Sequence, residues 1–140
     1  MQIALSGTVI VTGAGAHPHA VRRLKACYPG IDWQTGQSAA HPVLALRTNP
    51  LRAEGSFAFS VDQTGAAPRI TLEGGPFSGV IFGVEELLSK AGSNPTRLLV
   101  DTSGTDQTPG LTYRTFWTWD HSTNWELSQI GQQRQLCGRP

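Results

Sequence analysis

Residues 77–91 set Phe77, Val80, Ile81, Val84, Leu87, Leu88 and Ala91 on one continuous apolar stripe at helical spacing. A helix striped on one side only has to lie on another layer, so this stretch requires a sheet or further helices to cover it. Gly79 and Gly83, four apart on a neighbouring face, leave room for a close approach to that layer. Glu86 and Lys90 have the spacing of an exposed ion pair, and Gly92 is placed to end the helix.

The other elements follow from local pattern. "TVIVT" is a β-branched strand closed by Gly13 and Gly15. His17 and Pro18 open a helix whose apolar positions are Ala20, Val21, Leu24, Cys27 and Tyr28, and Pro29 and Gly30 stop it. Three further strands are expected at "VLALR" (43–47), "FAFSV" (57–61) and "ITLE" (70–73). The second alternates, with Phe57, Phe59 and Val61 opposite Ala58, Ser60 and Asp62, and "DQTGAAP" behind it has hairpin chemistry. Residues 31–41 are polar and turn-rich and are expected to be loop. The order β-α-β-β-β-α over residues 1–95 predicts a small α/β domain of α+β type, a two-layer sandwich with both helices on one sheet. Residues 96–112, rich in Ser, Thr, Asn, Pro and Gly, read mostly as a linker, and 113–140 begin something new.

Composition excludes several classes of function. A chain of 140 residues supports one ordinary core. With 11 basic against 10 acidic residues and no basic run beyond Arg22, Arg23 and Lys25, there is no footprint for nucleic acid. Cys27 and Cys137 lack CxxC spacing, so neither a disulfide framework nor a zinc site is expected; buried or idle thiols are the simpler reading, with a single bridge left open. The start "MQIALSGTVIVTGAGA" has no basic head and no long apolar run, which argues against a signal peptide, a transmembrane helix and a membrane partner. Location stays open, and a periplasmic or extracellular origin is compatible with a processed fragment.

Three short motifs invite chemistry. "VIVTGAGAHPHAV" (9–21) resembles the phosphate-cradling turn of the short-chain dehydrogenases. Gly13 and Gly15 fit it, but Pro18 and His19 stand where the third glycine belongs, and Asp32 does not end a second strand, so no cofactor is expected. "LLVDTSGTD" (98–106) resembles the aspartic protease turn, yet Ser103 displaces the glycine to Gly104, and a short strand with a polar turn is the plainer reading. His17, His19 and His41 fall at a helix start and in a loop without supporting carboxylates, which favours capping and solvent-facing roles over a metal.

The segment "YRTFWTWDHSTNWEL" (113–127) holds three of the four tryptophans. Alternation sets Tyr113, Thr115, Trp117 and Trp119 against Arg114, Phe116 and Thr118, a strand with large side chains on both faces, as in a parallel sheet or barrel wall. It runs into Asp120, His121, Ser122, Thr123 and Asn124, and polar groups at the end of such a strand are where α/β sites are built. Asp120 or Ser122 has the alternative task of capping a helix through "WELSQIGQQ". Indoles beside Asp, Arg and Asn suit a sugar, whose apolar face stacks while its hydroxyls hydrogen-bond. Asp-His-Ser in direct succession is not a hydrolase triad, because neighbours cannot converge in the relay.

The layout as a whole resembles the N-terminal part of large glycoside hydrolases, namely the β-hexosaminidases and especially the α-glucuronidases. The residues that carry the likeness are Gly79, Gly83, Leu87 and Leu88 in the last helix, then Arg114, four variable positions, and Trp119-Asp120. The resemblance implies that 113–140 starts a (β/α)₈ barrel, incomplete in this chain, and that Arg114 binds sugar in the cleaved subsite. Trp119, Asp120, His121, Asn124 and Trp125 are the accompanying candidate sugar contacts, and the catalytic acid and base are unassigned. After Asp120, "HSTNWELSQIG" departs from the α-glucuronidase pattern, which leaves the substrate open. On this reading the chain is an accessory portion of an exo-acting glycoside hydrolase. Its partners are a carbohydrate and the remainder of the barrel or a second chain, and it is not catalytic by itself. The alternative is a self-contained carbohydrate-binding or protein-interaction module that uses exposed tryptophans.

Overall fold

A computed structural model describes residues 2–102 and 106–110. The chain order is β1 (Gln2–Ser6), β2 (Thr8–Thr12), α1 (Pro18–Cys27), β3 (Asp32–Thr35), β4 (Val43–Thr48), β5 (Phe57–Asp62), β6 (Arg69–Gly74), α2 (Gly79–Lys90) and β7 (Arg97–Asp101). Strands β3-β2-β4-β6-β5 form one sheet, and β1 and β7 form a separate antiparallel pair. Within the larger sheet β3, β2, β4 and β6 run parallel, while β5 returns antiparallel on the edge as the expected hairpin partner of β6.

Both helices pack on one face of this sheet, which makes the two-layer α/β sandwich. The core joins Val9 and Val11 of β2, Leu44 and Leu46 of β4, and Ile70 and Leu72 of β6 to Ala20 and Leu24 of α1 and Val80, Val84 and Leu87 of α2. The helices are fastened to each other as well. Arg23 donates from Nε and Nη2 to the two carboxylate oxygens of Glu85 at 2.6 and 3.0 Å, a forked geometry that fixes orientation as well as charge. At the far end the Tyr28 hydroxyl donates to the Gly92 carbonyl at 3.0 Å.

The expected glycine approach is present. A Cβ at Gly83 would meet Leu72 Cδ1 at 2.3 Å, and one at Gly79 would meet the Ser56 carbonyl oxygen at 2.4 Å. Glu86 and Lys90 pair at 2.7 Å on the outer face.

Four expectations change. Residues 31–41 are not all loop, because Asp32–Thr35 is β3, parallel to β2 in the register Thr8↔Asp32 to Val11↔Thr35. Only its Trp33 turns inward, donating Nε1–H to the Tyr28 carbonyl at 3.0 Å, so the strand carries almost no apolar signal. Within the stretch read mostly as linker, the short strand expected in 98–106 is β7 (Arg97–Asp101), and it belongs to the domain, paired with an unexpected β1 so that Ile3, Leu5, Leu98 and Val100 are buried. Phe77 is not on the helical stripe: it precedes α2, has φ 65°, and is 87 % exposed. Of the two expected readings of Cys27, buried or idle, the buried one does not hold: it is exposed and a free thiol.

The connection from β3 to β4 shapes the opposite face. Both strands are parallel to β2, which lies between them, so residues 36–42 must return from the end of one to the start of the other. This strap runs on the face away from the helices, where Ile10, Val43 and Ala45 are buried outside the main core cluster.

Candidate functional site

The carboxyl ends of β2, β4 and β6 meet at one rim, the place where open α/β sheets build sites. At β2 the turn begins with Gly13, whose φ is 78° and whose missing Cβ would lie 2.1 Å from the Leu46 carbonyl oxygen. Glycine is therefore demanded twice, by the backbone conformation and by the closeness of β4. Two of the following N–H groups are bonded inside the turn, Ala16 to the Gly13 carbonyl and His17 to the Ala14 carbonyl, each at 3.2 Å.

His17 precedes the first residue of α1 and makes no side-chain cap; its Nε2 instead lies 3.3 Å from Thr48 Oγ1 at the end of β4. Partial burial pulls its pKa below the ordinary 6.5 by stripping water from the imidazolium. The unfolded chain then binds this proton first, so the stability contributed by neutral His17 is complete above about pH 6.5 and is lost as pH falls below it. His17→Gln should flatten the fall in urea-unfolding stability between about pH 7 and pH 5. An unchanged slope would remove His17 as its source.

At β4 and β6 the rim carries a charged network. Glu73 Oε1 accepts from Asn49 Nδ2 at 2.9 Å and Oε2 pairs with Arg47 at 2.9 Å, with Arg52 3.9 Å from Oε1. Arg52 Nη2 reaches Asp106 Oδ1 at 2.6 Å, and Arg52 Nε is buried with no hydrogen-bond partner. Gln107 and Phe57 exchange two backbone hydrogen bonds at 2.9 Å just beyond. The network therefore ties the β4–β5 loop, the end of β6 and the segment after β7 into one body. Its carboxylates are engaged with cations, which suits anchoring rather than proton transfer.

A crevice of about 480 Å³ lies under the strap, lined by Thr12, Gln37, Ser38, Ala39, Val43 and Arg69. Its size suits a small ligand, and its hydroxyls, amide and guanidinium are hydrogen-bonding groups.

The predicted sugar contacts Arg114, Trp119, Asp120, His121, Asn124 and Trp125 lie outside the described residues, as does Cys137. His19 and His41 are exposed, and among the described residues no three His, Cys, Asp or Glu side chains gather in a metal-binding group. No helix among the described residues is long and apolar enough to cross a membrane. Sequence reasoning missed Arg47, Asn49, Arg52 and Glu73 because they converge only once β4 and β6 are paired. The crevice residues carried no sequence signal beyond the turn-rich run "GQSAAHP". Compared with known proteins, the chain matches no protein-family model, no curated protein and no solved structure.

Proposed function

We propose that this chain is the accessory N-terminal portion of a carbohydrate-active enzyme, an exo-acting glycoside hydrolase. Residues 113–120 would supply the first strand of its barrel, and Arg114, Trp119, Asp120, His121, Asn124 and Trp125 the sugar contacts. The observation that carries the reading is an α/β sandwich whose last helix lies against the sheet through Gly79 and Gly83, with residues 106 and 107 held at the rim shortly before Tyr113-Arg114. In this arrangement the sandwich is an anchor, and the chemistry belongs to the barrel that starts at residue 113.

The test is hydrolysis of aryl glycosides and aryl glucuronides by the protein carrying this chain with any coding sequence that continues past Pro140. Arg114→Ala should lower kcat/KM by about 10²-fold, the scale of a charged donor lost from a site, while the melting temperature stays put. Equal kinetics in the variant, or neither hydrolysis nor sugar binding by the wild type, would sink the assignment.

The crevice favours a second reading, a self-contained carbohydrate-binding module. That reading requires the 140-residue chain to bind oligosaccharides by calorimetry, with Arg69→Ala and Gln37→Ala weakening the heat.

A further inference from the structure

Among the described residues the exposed large hydrophobic side chains are Leu51, 94 % exposed, and Phe77, 87 % exposed. Isolated exposed apolar residues are ordinary, but these two stand on loops fastened to each other. Asn49 N–H donates to the Gly74 carbonyl at 2.8 Å, Gly75 N–H to the Ser56 carbonyl at 2.7 Å and Gly55 N–H to the Pro76 carbonyl at 3.4 Å. The backbones touch closely enough that a Cβ on Gly75 would lie 2.0 Å from the Ala53 carbonyl oxygen. Leu51 and Phe77 therefore sit on one rigid rim.

Phe77 carries a second peculiarity. Its φ of 65° is in the left-handed region, which a bulky side chain enters at a cost. A residue such as Asn or Gly would occupy this position with less strain. The backbone is held there by the Ser78 N–H to Pro76 carbonyl bond at 3.0 Å, and the outcome is an aromatic ring in solvent.

The described chain also leaves at this rim. Asp106 is tied to Arg52, and Gln107 is bonded to Phe57 at the amino end of β5. The described residues end at Gly110, and Tyr113, Phe116, Trp117 and Trp119 come directly after it in sequence. An extended chain covers about 3.5 Å per residue, so those rings reach the rim within a few positions.

We propose that the rim bearing Leu51 and Phe77 is the docking face for the aromatic segment 111–127 of the same chain. The match is chemical: an aromatic and an aliphatic side chain, held out rigidly, meet a segment whose strand pattern puts rings on both faces. Offset or edge contacts between Phe77 and an indole would remove both from water, and that gain would offset the backbone strain at Phe77. The docking is the same whether the segment continues into a barrel or belongs to a binding module.

The test uses the full chain and hydrogen–deuterium exchange read by peptide across 111–127. Leu51→Ser combined with Phe77→Asn removes both apolar side chains while keeping a residue that the left-handed region accepts. Exchange in 111–127 should rise about tenfold or more in this variant, and tryptophan emission should move to longer wavelength. β2, β4 and β6 should stay protected, which separates undocking from unfolding. Wild-type exchange in 111–127 at the unprotected rate, or equal protection in the variant, would overturn the proposal. So would loss of a dimer by light scattering with protection of 111–127 unchanged, since the rim would then be the seat of a second copy.

Discussion

Gly13→Ala is expected to destabilise the domain by about 2–4 kcal/mol, whereas Gly15→Ala, two positions on, should change stability by less than about 1 kcal/mol. The two glycines belong to the same "GAGA" turn, yet their surroundings differ. At Gly13 the backbone φ of 78° strains any L side chain, and the new Cβ would fall 2.1 Å from the Leu46 carbonyl oxygen. That oxygen belongs to β4, so relief requires shifting β2 away from its neighbour, against the pairing Thr12↔Ala45. The strain alone is worth about 1–2 kcal/mol and the displacement adds a comparable amount. A Cβ at Gly15 meets nothing within 4 Å and its φ lies outside the strained range, so alanine there only restricts the unfolded chain. Urea unfolding followed by circular dichroism measures both. Equal losses at the two positions would mean that the turn is shaped by something other than its contact with β4. A wild-type midpoint for Gly13→Ala would show that the close approach is not maintained in solution.

The same turn illustrates what could be read from the chain before its structure. Signals that are local and periodic translated directly: the stripe from Val80 to Leu88, the Pro18 start of α1, and the hairpin between β5 and β6. Each is set by neighbours in sequence. Phe77 fitted the stripe by spacing, but Pro76 before it and a left-handed backbone placed it outside the helix, and spacing alone cannot report φ. β3 was illegible for a different reason. As an edge strand with one inward residue, "DWQT" needs only β2 beside it and little apolar character.

The β1 and β7 pair lies between these cases. Leu98 and Val100 fall where a short strand was expected, whereas β1, with Ile3 and Leu5 buried between exposed neighbours, was not expected. The partners stand at opposite ends of the described chain, however, and Gly7 with φ 68° is what breaks β1 from β2 and sends it to β7. In the candidate site, Glu73, Arg47, Asn49 and Arg52 likewise meet through strand pairing that no window of sequence contains. The glycines of α2 were the exception, because four-residue spacing on a helix already names the face that must lie close.

That close face gives the second large effect. Leu72→Ala should cost about 2–5 kcal/mol, since Leu72 is 0 % exposed in the sheet beneath α2. Gly83→Ala presents the opposite problem: its methyl would enter to 2.3 Å from Leu72 Cδ1, an overpacking of about 1–3 kcal/mol, set against about 1 kcal/mol gained in helix propensity. The two defects are complementary in space, because the cavity left by Leu72→Ala opens where the Gly83→Ala methyl would go. The double variant should therefore be more stable than the sum of the single losses, by a coupling of about 1–2 kcal/mol within the range seen for residues in contact. Thermal and urea unfolding of the four proteins closes the cycle. Additive losses would mean that α2 slides along the sheet to absorb the methyl, and then Gly79, where a Cβ would fall 2.4 Å from the Ser56 carbonyl oxygen, would not be fixing the helix as this packing requires.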